Sequence, residues 1–222
     1  MVFYKFHFRN ILNYMTLYDD FAQTFSNSRK NLHWPELDAI LSDIEKNRYS
    51  SILDVWCGNG RLITELKKNN IHTLSYLGVD VSEWMIDEAK KLEPNEQFLV
   101  SSMPLLIEVP NDRTFDAIVL LASFHHLETE DERKTCLDTL KKFLAPNGSV
   151  YMTNWNLLDQ EKYQKNHRGN GDFDIKIGEF SRYYHGFTLE ELGNLFEATG
   201  WKIFENRIFE GERNIYSKIW NI

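Results

Sequence analysis

The chain has 222 residues, 42% of them hydrophobic and 26% charged, with a formal net charge of −8. That length supports one domain with a real core, and the balance is that of a soluble globular protein. The acidic charge argues against bulk electrostatic capture of nucleic acid, which favours a basic footprint; a local basic patch, or one lent by a partner, is the remaining route.

Residues 1–17 are apolar and aromatic but broken by Lys5, His7 and Arg9. They read as a short strand or an appended N-terminal arm, not as a signal peptide, and nothing approaches a membrane span. Helical spacing predicts a helix over 36–47, with Leu37, Ile40, Leu41 and Ile44 on one face and Pro35 at its start. A buried strand follows at 51–55, then a helix at 60–69 and a second strand at 74–79. Ser82 caps a helix to Leu92, and a third strand covers 98–100. Residues 115–122 are nearly all apolar, as a central parallel strand should be. An amphipathic helix over 130–144 stops at Pro146-Asn147-Gly148, and a fifth strand covers 149–153.

The rhythm then breaks over 154–187, a stretch rich in Asn, Gly, Asp and Lys. A connection this long reads as a lid or substrate loop, or as a disordered insertion. Thr188 caps a last helix to Thr199, and β-like runs at 201–209 and 214–219 predict a closing antiparallel hairpin. Strands alternating with helices give an α/β doubly wound sheet. Cys57 and Cys136 lie far apart, with neither metal-ligand spacing nor a disulfide framework. The expectation is a reduced cytoplasmic protein without a metal.

The chemistry gathers at Leu53-Asp54-Val55-Trp56-Cys57-Gly58-Asn59-Gly60, between a strand and a helix. Gly58 and Gly60 allow a tight turn that exposes N–H groups at a helix start. Asp80 ends the next strand, where an acid accepts hydrogen bonds from both ribose hydroxyls of a nucleotide-like ligand. The pyrophosphate pattern G-x-G-x-x-G is not met, because Ile63 holds its third glycine position.

The short D-x-x-C-G-x-G form instead resembles motif I of the class I S-adenosylmethionine-dependent methyltransferases. Phe115-Asp116-Ala117-Ile118 and Leu144-Ala145-Pro146-Asn147-Gly148 fit the same pattern, in order. The resemblance implies a Rossmann-like fold over 18–222 with a seven-stranded, mostly parallel sheet. It also implies S-adenosylmethionine as cofactor, with S-adenosylhomocysteine as product. The implied cofactor contacts are Asp54, Cys57, Gly58, Gly60, Asp80, Val81, Ser102, Met103 and Ala122. Ser102 stands where many relatives carry an acid toward the adenine amino group.

The flanks narrow this. Tyr18-Asp19, Phe25-Ser26, Ser28-Arg29, Trp34-Pro35, Phe124-His125-His126-Leu127, Arg182-Tyr183-Tyr184-His185 and Glu212-Arg213-Asn214 together resemble the tRNA methyltransferases that esterify 5-carboxymethyluridine at the wobble position. The implied substrate is a carboxylate on tRNA, and the implied partner a small zinc-ribbon activator subunit. A carboxylate needs no strong base, so what is needed is alignment and a cation that holds it; Arg serves best, through its bidentate fork. Arg182 and Arg29 are the candidates, with His185, Tyr183 and His126 as further donors. His125 and His126 serve equally as caps for backbone carbonyls, and Tyr183-Tyr184 as packing. A small-molecule carboxylate is the alternative substrate.

Trp56 stands where this pattern has glycine. An indole there either turns into the core or fills the ligand site. Two explanations stay open: a chain that keeps the fold for binding alone, and a UGA codon that the source organism reads as glycine. Trp84 is a second position where glycine is unremarkable. A UGG codon at position 56 excludes the second explanation.

Overall fold

The computed structural model describes residues 34–177 and 180–221. The predicted N-terminal arm and Arg29 lie outside these residues. At the centre is β4 (Phe115–Leu121), whose sequence FDAIVLL is apolar except for Asp116. An extended run with no polar face must be covered on both sides. It lies between β1 (Ser51–Val55) and β5 (Leu144–Trp155), parallel to both. Beyond β1 come β2 (Ser75–Asp80) and β3 (Gln97–Val100), also parallel. Beyond β5 lies β10 (Asn214–Trp220), antiparallel to it and to β9 (Lys202–Ile208). The order is β3-β2-β1-β4-β5-β10-β9, seven strands of which β10 alone runs against the rest.

Alternation along the strands sorts the core into two layers. One face carries Leu53, Val55, Ile118, Leu120, Val150 and Met152. On it pack Leu137 and Leu140 of α4 (Glu130–Phe143) and Leu192 and Phe196 of α5 (Leu189–Ala198). The other face carries Ile52, Tyr76, Ala117, Val119 and Tyr151. It meets Ile40 and Ile44 of α1 (Pro35–Asn47), Leu62 and Leu66 of α2 (Arg61–Lys68) and Ile86 and Ala89 of α3 (Glu83–Leu92). The two predicted caps are present: Ser82 Oγ accepts from Met85 N at 3.2 Å, and Thr188 Oγ1 from Glu191 N at 3.0 Å. Asp116 accepts from the backbone N–H groups of Ser50 and Ser51 at 2.8 and 2.9 Å, which fixes the start of β1 beside β4.

The fifth strand is longer than predicted. Leu144 already pairs with Phe115, a bulge at Pro146-Asn147-Gly148 interrupts the ladder, and Asn154 and Trp155 extend it against β10. The segment after it is largely folded rather than loop. It forms a three-stranded antiparallel sheet, β6 (His167–Gly169), β7 (Asp172–Ile177) and β8 (Phe180–His185). Its own small core holds Trp155, Leu157, Phe173, Ile175 and Tyr184. Asp172-Phe173-Asp174-Ile175 has the period-two alternation of a half-buried strand, hidden in the sequence by the polar residues around it. Among the described residues no helix is long and apolar enough to cross a membrane.

Ile118 is fully buried in the central strand. Ile118→Ala should lower the free energy of unfolding by about 2–5 kcal/mol, read from urea denaturation, because the packed layers cannot collapse onto the void.

Candidate functional site

The strand β1 ends in a turn whose backbone is left-handed at Trp56, Gly58 and Gly60, with φ of 58°, 55° and 81°. Gly60 then starts α2 at its N-terminus, close against the Phe98 ring. The turn is anchored to the next strand by one carboxylate. Asp80 Oδ2 accepts from Gly58 N at 2.9 Å, and Oδ1 from Ser82 N at 3.0 Å. Burial pushes the Asp80 carboxyl up to about 6, against the pull of those N–H groups and of the Arg182 charge.

Beside the turn lies a cavity of about 310 Å³. Asp54, Trp56, Cys57 and Gly58 line one side, Leu121 to Ser123 another, and Trp34 and Arg61 a third. Asp54 is buried, and its Oδ2 accepts from the Tyr76 hydroxyl at 2.7 Å. Its Oδ1 has no hydrogen-bond partner among the described residues. Burial, with Asp80 nearby, pushes the Asp54 carboxyl up to about 7 despite the Tyr76 hydroxyl. A buried oxygen lacking a partner is costly.

Of the predicted cofactor residues, Asp54, Cys57, Gly58 and Ala122 line this cavity; Gly60, Asp80, Val81, Ser102 and Met103 do not. Val81 and Met103 are buried, and Met103 packs in the core with Val79. Asp80 still joins the same turn through Gly58. Arg61 and Trp34, outside the expected cofactor set, join the lining: Arg61, marked in the sequence only by its place as the first helical residue after the glycines, has its guanidinium 4.5 Å from the centre of the Trp34 ring.

The predicted catalytic set splits by strand alternation. On β8, Arg182 and Tyr184 point one way, Tyr183 and His185 the other. Arg182 lies 5.5 Å from the Trp56 ring centre and 5.8 Å from that of Tyr184. The His126 ring stacks on Trp56 at 5.4 Å, and its Nδ1 donates to the carbonyl of Tyr183 at 3.0 Å. His125 is a backbone partner, its Nδ1 accepting from Trp155 N at 3.2 Å. Tyr184 is core, stacked on Trp155 at 5.0 Å. Arg182, His126, Tyr183 and His185 are all outside the lining of the cavity; Arg182 and His126 meet it only through the Trp56 ring, whereas Tyr183 and His185 bond to Asp172 at 2.7 and 3.0 Å on the opposite face of β8.

Trp56 is partly buried against the core and is also one of the residues lining the cavity, which stays open beside it. Its φ is one that L side chains adopt at a strain of roughly 1–2 kcal/mol and glycine adopts freely. Trp84 lies inside α3, where no such backbone demand exists.

A methyltransferase domain family matches residues 53–150. The tRNA (carboxymethyluridine(34)-5-O)-methyltransferase alkbh8 of Xenopus tropicalis is 29% identical over 150 residues, 68% of this chain and 22% of its own. The Arabidopsis thaliana enzyme of the same description is 30% identical over 140 residues, 63% of this chain and 31% of its own. This chain therefore spans less than a third of either relative. The structure of S-adenosylmethionine-bound CalS10, an amino pentose methyltransferase from Micromonospora echinaspora, superposes with a TM-score of 0.67 at 18% identity. It covers 89% of this chain and 95% of its own. Residues 53–150 thus match a methyltransferase domain, and the fold is that of S-adenosylmethionine-dependent methyltransferases. The seven-stranded, mostly parallel sheet with its closing antiparallel hairpin, the glycine turn and the acid ending β2 are those that the sequence predicts.

Two outcomes are expected at this site. An ionised Asp54 is needed to receive an ammonium, so affinity for S-adenosylhomocysteine should fall as pH drops through about 7, by up to about tenfold per unit. Calorimetry between pH 6 and 8 reads this, and Asp54→Asn should bind weakly at every pH. Trp56→Gly should tighten the same ligand at least about tenfold, through relieved backbone strain and cleared volume.

Proposed function

We propose that this methyltransferase esterifies a carboxylate on a modified wobble uridine of tRNA. The observation that carries the reading is the placement of Arg182, half-buried over the Trp56 ring and close enough to Asp80 to lower its carboxyl's proton affinity. A cation beside the cofactor turn is what a carboxylate substrate requires. The two tRNA carboxymethyluridine methyltransferases support the choice of RNA as carrier.

In this reading Asp54 takes the amino group of the cofactor's methionine part through its free oxygen. Asp80, held by Gly58 and Ser82, keeps lone pairs for the ribose hydroxyls. The bound cofactor supplies an electrophilic methyl group on a cationic sulfur. Arg182 grips the substrate carboxylate with its planar fork and turns one oxygen toward that methyl. His126, with Nδ1 committed to the Tyr183 carbonyl, buttresses the indole beneath Arg182. No proton needs to move, because the nucleophile is ionised at neutral pH. The chain's contribution is alignment and exclusion of water, and proximity of this kind supplies up to roughly 7–11 kcal/mol.

The acidic charge of −8 favours a second reading, a small carboxylic acid that needs no polyanion docking. A partner subunit reconciles that charge with tRNA. The apolar side chains of Leu92, Leu105 and Ile107 stand exposed around the sheet edge at β3 and suit a cover such as the zinc-ribbon activator.

Mass spectrometry of tRNA nucleosides separates the two readings. Cells lacking the gene should accumulate 5-carboxymethyluridine and lose its methyl ester. The parent gene should restore the ester, and Arg182→Ala should leave it reduced by about 100-fold while binding S-adenosylhomocysteine normally. Unchanged tRNA nucleosides would turn the assignment to a small acid.

A further inference from the structure

On the face of β8 turned away from the cavity, five polar groups from four elements meet. The His185 ring is 5% exposed. Its Nδ1 lies 3.0 Å from Asp172 Oδ1 on β7, and its Nε2 lies 2.7 Å from Glu191 Oε1 on α5. Arg133 of α4 stands 3.8 Å from Glu191 and donates to the Tyr183 hydroxyl at 3.1 Å. Tyr183 in turn donates to Asp172 at 2.7 Å. The Phe187 ring closes the cluster edge-on to His185 at 4.6 Å, and Gly171 leaves room for the imidazole, since a Cβ there would meet it at 3.0 Å.

A neutral imidazole has one N–H, and a carboxylate only accepts. Burial raises the Asp172 carboxyl, but the Tyr183 hydroxyl and His185 together hold it below the usual range, so it is ionised at neutral pH. An imidazolium, with an N–H on each nitrogen, is the form that donates to both carboxyl groups at once. Without the second proton a ring lone pair faces a carboxylate oxygen at hydrogen-bond distance.

The cluster connects to the site. Asp172 and His185 are paired across β7 and β8, so the bridge to Glu191 ties the small sheet to α5. Arg133 also donates to the carbonyls of Leu127 and Glu128 at 3.2 Å each, directly after the turn that carries His126. We propose that His185 is a positioning residue: an imidazolium bridge from Asp172 to Glu191 that locks β8 onto α4 and α5 and so holds Arg182 and His126 against Trp56 at the edge of the cavity. This rests on the reading of Arg182 as the carboxylate holder, but its structural half is read without substrate.

The test uses the full chain labelled with 15N in histidine and arginine. Long-range 15N–1H spectra at neutral pH should show both His185 nitrogens protonated, the signal being assigned by its loss in His185→Gln. In that variant the Arg182 Nε–H resonance should move, S-adenosylhomocysteine affinity should stay within about twofold, and kcat for tRNA should fall about tenfold or more while KM changes little. Glu191→Gln keeps the shape of the bridge and removes one charge. It should move the same resonances and serves if the first variant does not fold. A parent spectrum with one unprotonated His185 nitrogen overturns the proposal, as does an unmoved Arg182 resonance in both variants. If the parent chain transfers no methyl group to tRNA, the functional reading fails alone, and the nitrogen signals still decide the bridge.

Discussion

The molecule turns on one buried carboxylate. Asp80 accepts a backbone N–H from Gly58 on one oxygen and from Ser82 on the other. The glycine turn after β1, the end of β2 and the cap of α3 are thereby fixed in one geometry. Taking that carboxylate out of water is unfavourable, as its raised proton affinity records. Charge-assisted bonds to backbone donors offset it. The cavity, the unusual residue 56 and the reach of Arg182 are all arranged around that bond.

Two further charges lie in the same region. Asp54 lies one strand over, its Oδ2 engaged by Tyr76 and its buried Oδ1 without a hydrogen-bond partner among the described residues. Such an atom is tolerated where a ligand completes it. Arg182 comes from the small sheet and lies 5.5 Å from the centre of the Trp56 ring.

The small sheet behaves as a two-faced part. Phe173, Ile175 and Tyr184 bury one side with Trp155 and Leu157. Asp172, Tyr183 and His185 join the other to helices of the main fold. The apolar side gives cohesion without direction, whereas the charged side gives direction, because hydrogen bonds to charged groups have narrow geometry.

Much of this was legible in the chain itself. The apolar run of β4, the caps at Ser82 and Thr188, the glycine turn and the acid closing β2 are local signals, set by backbone sterics and by hydrogen bonds a few residues long, and they carried the fold and the cofactor class. The β6–β8 sheet was not legible, because its short strands gain their burial from Trp155 and Leu157 outside them. Nor was the division of Arg182-Tyr183-Tyr184-His185: neighbours in sequence fall on opposite faces of a strand, and only the packing of β8 against α4 and α5 decides which face meets Trp56. The left-handed backbone at Trp56 has the same origin. The sequence marked the residue as unusual for its motif, but the conformation it must adopt is imposed by a turn closed from the neighbouring strand.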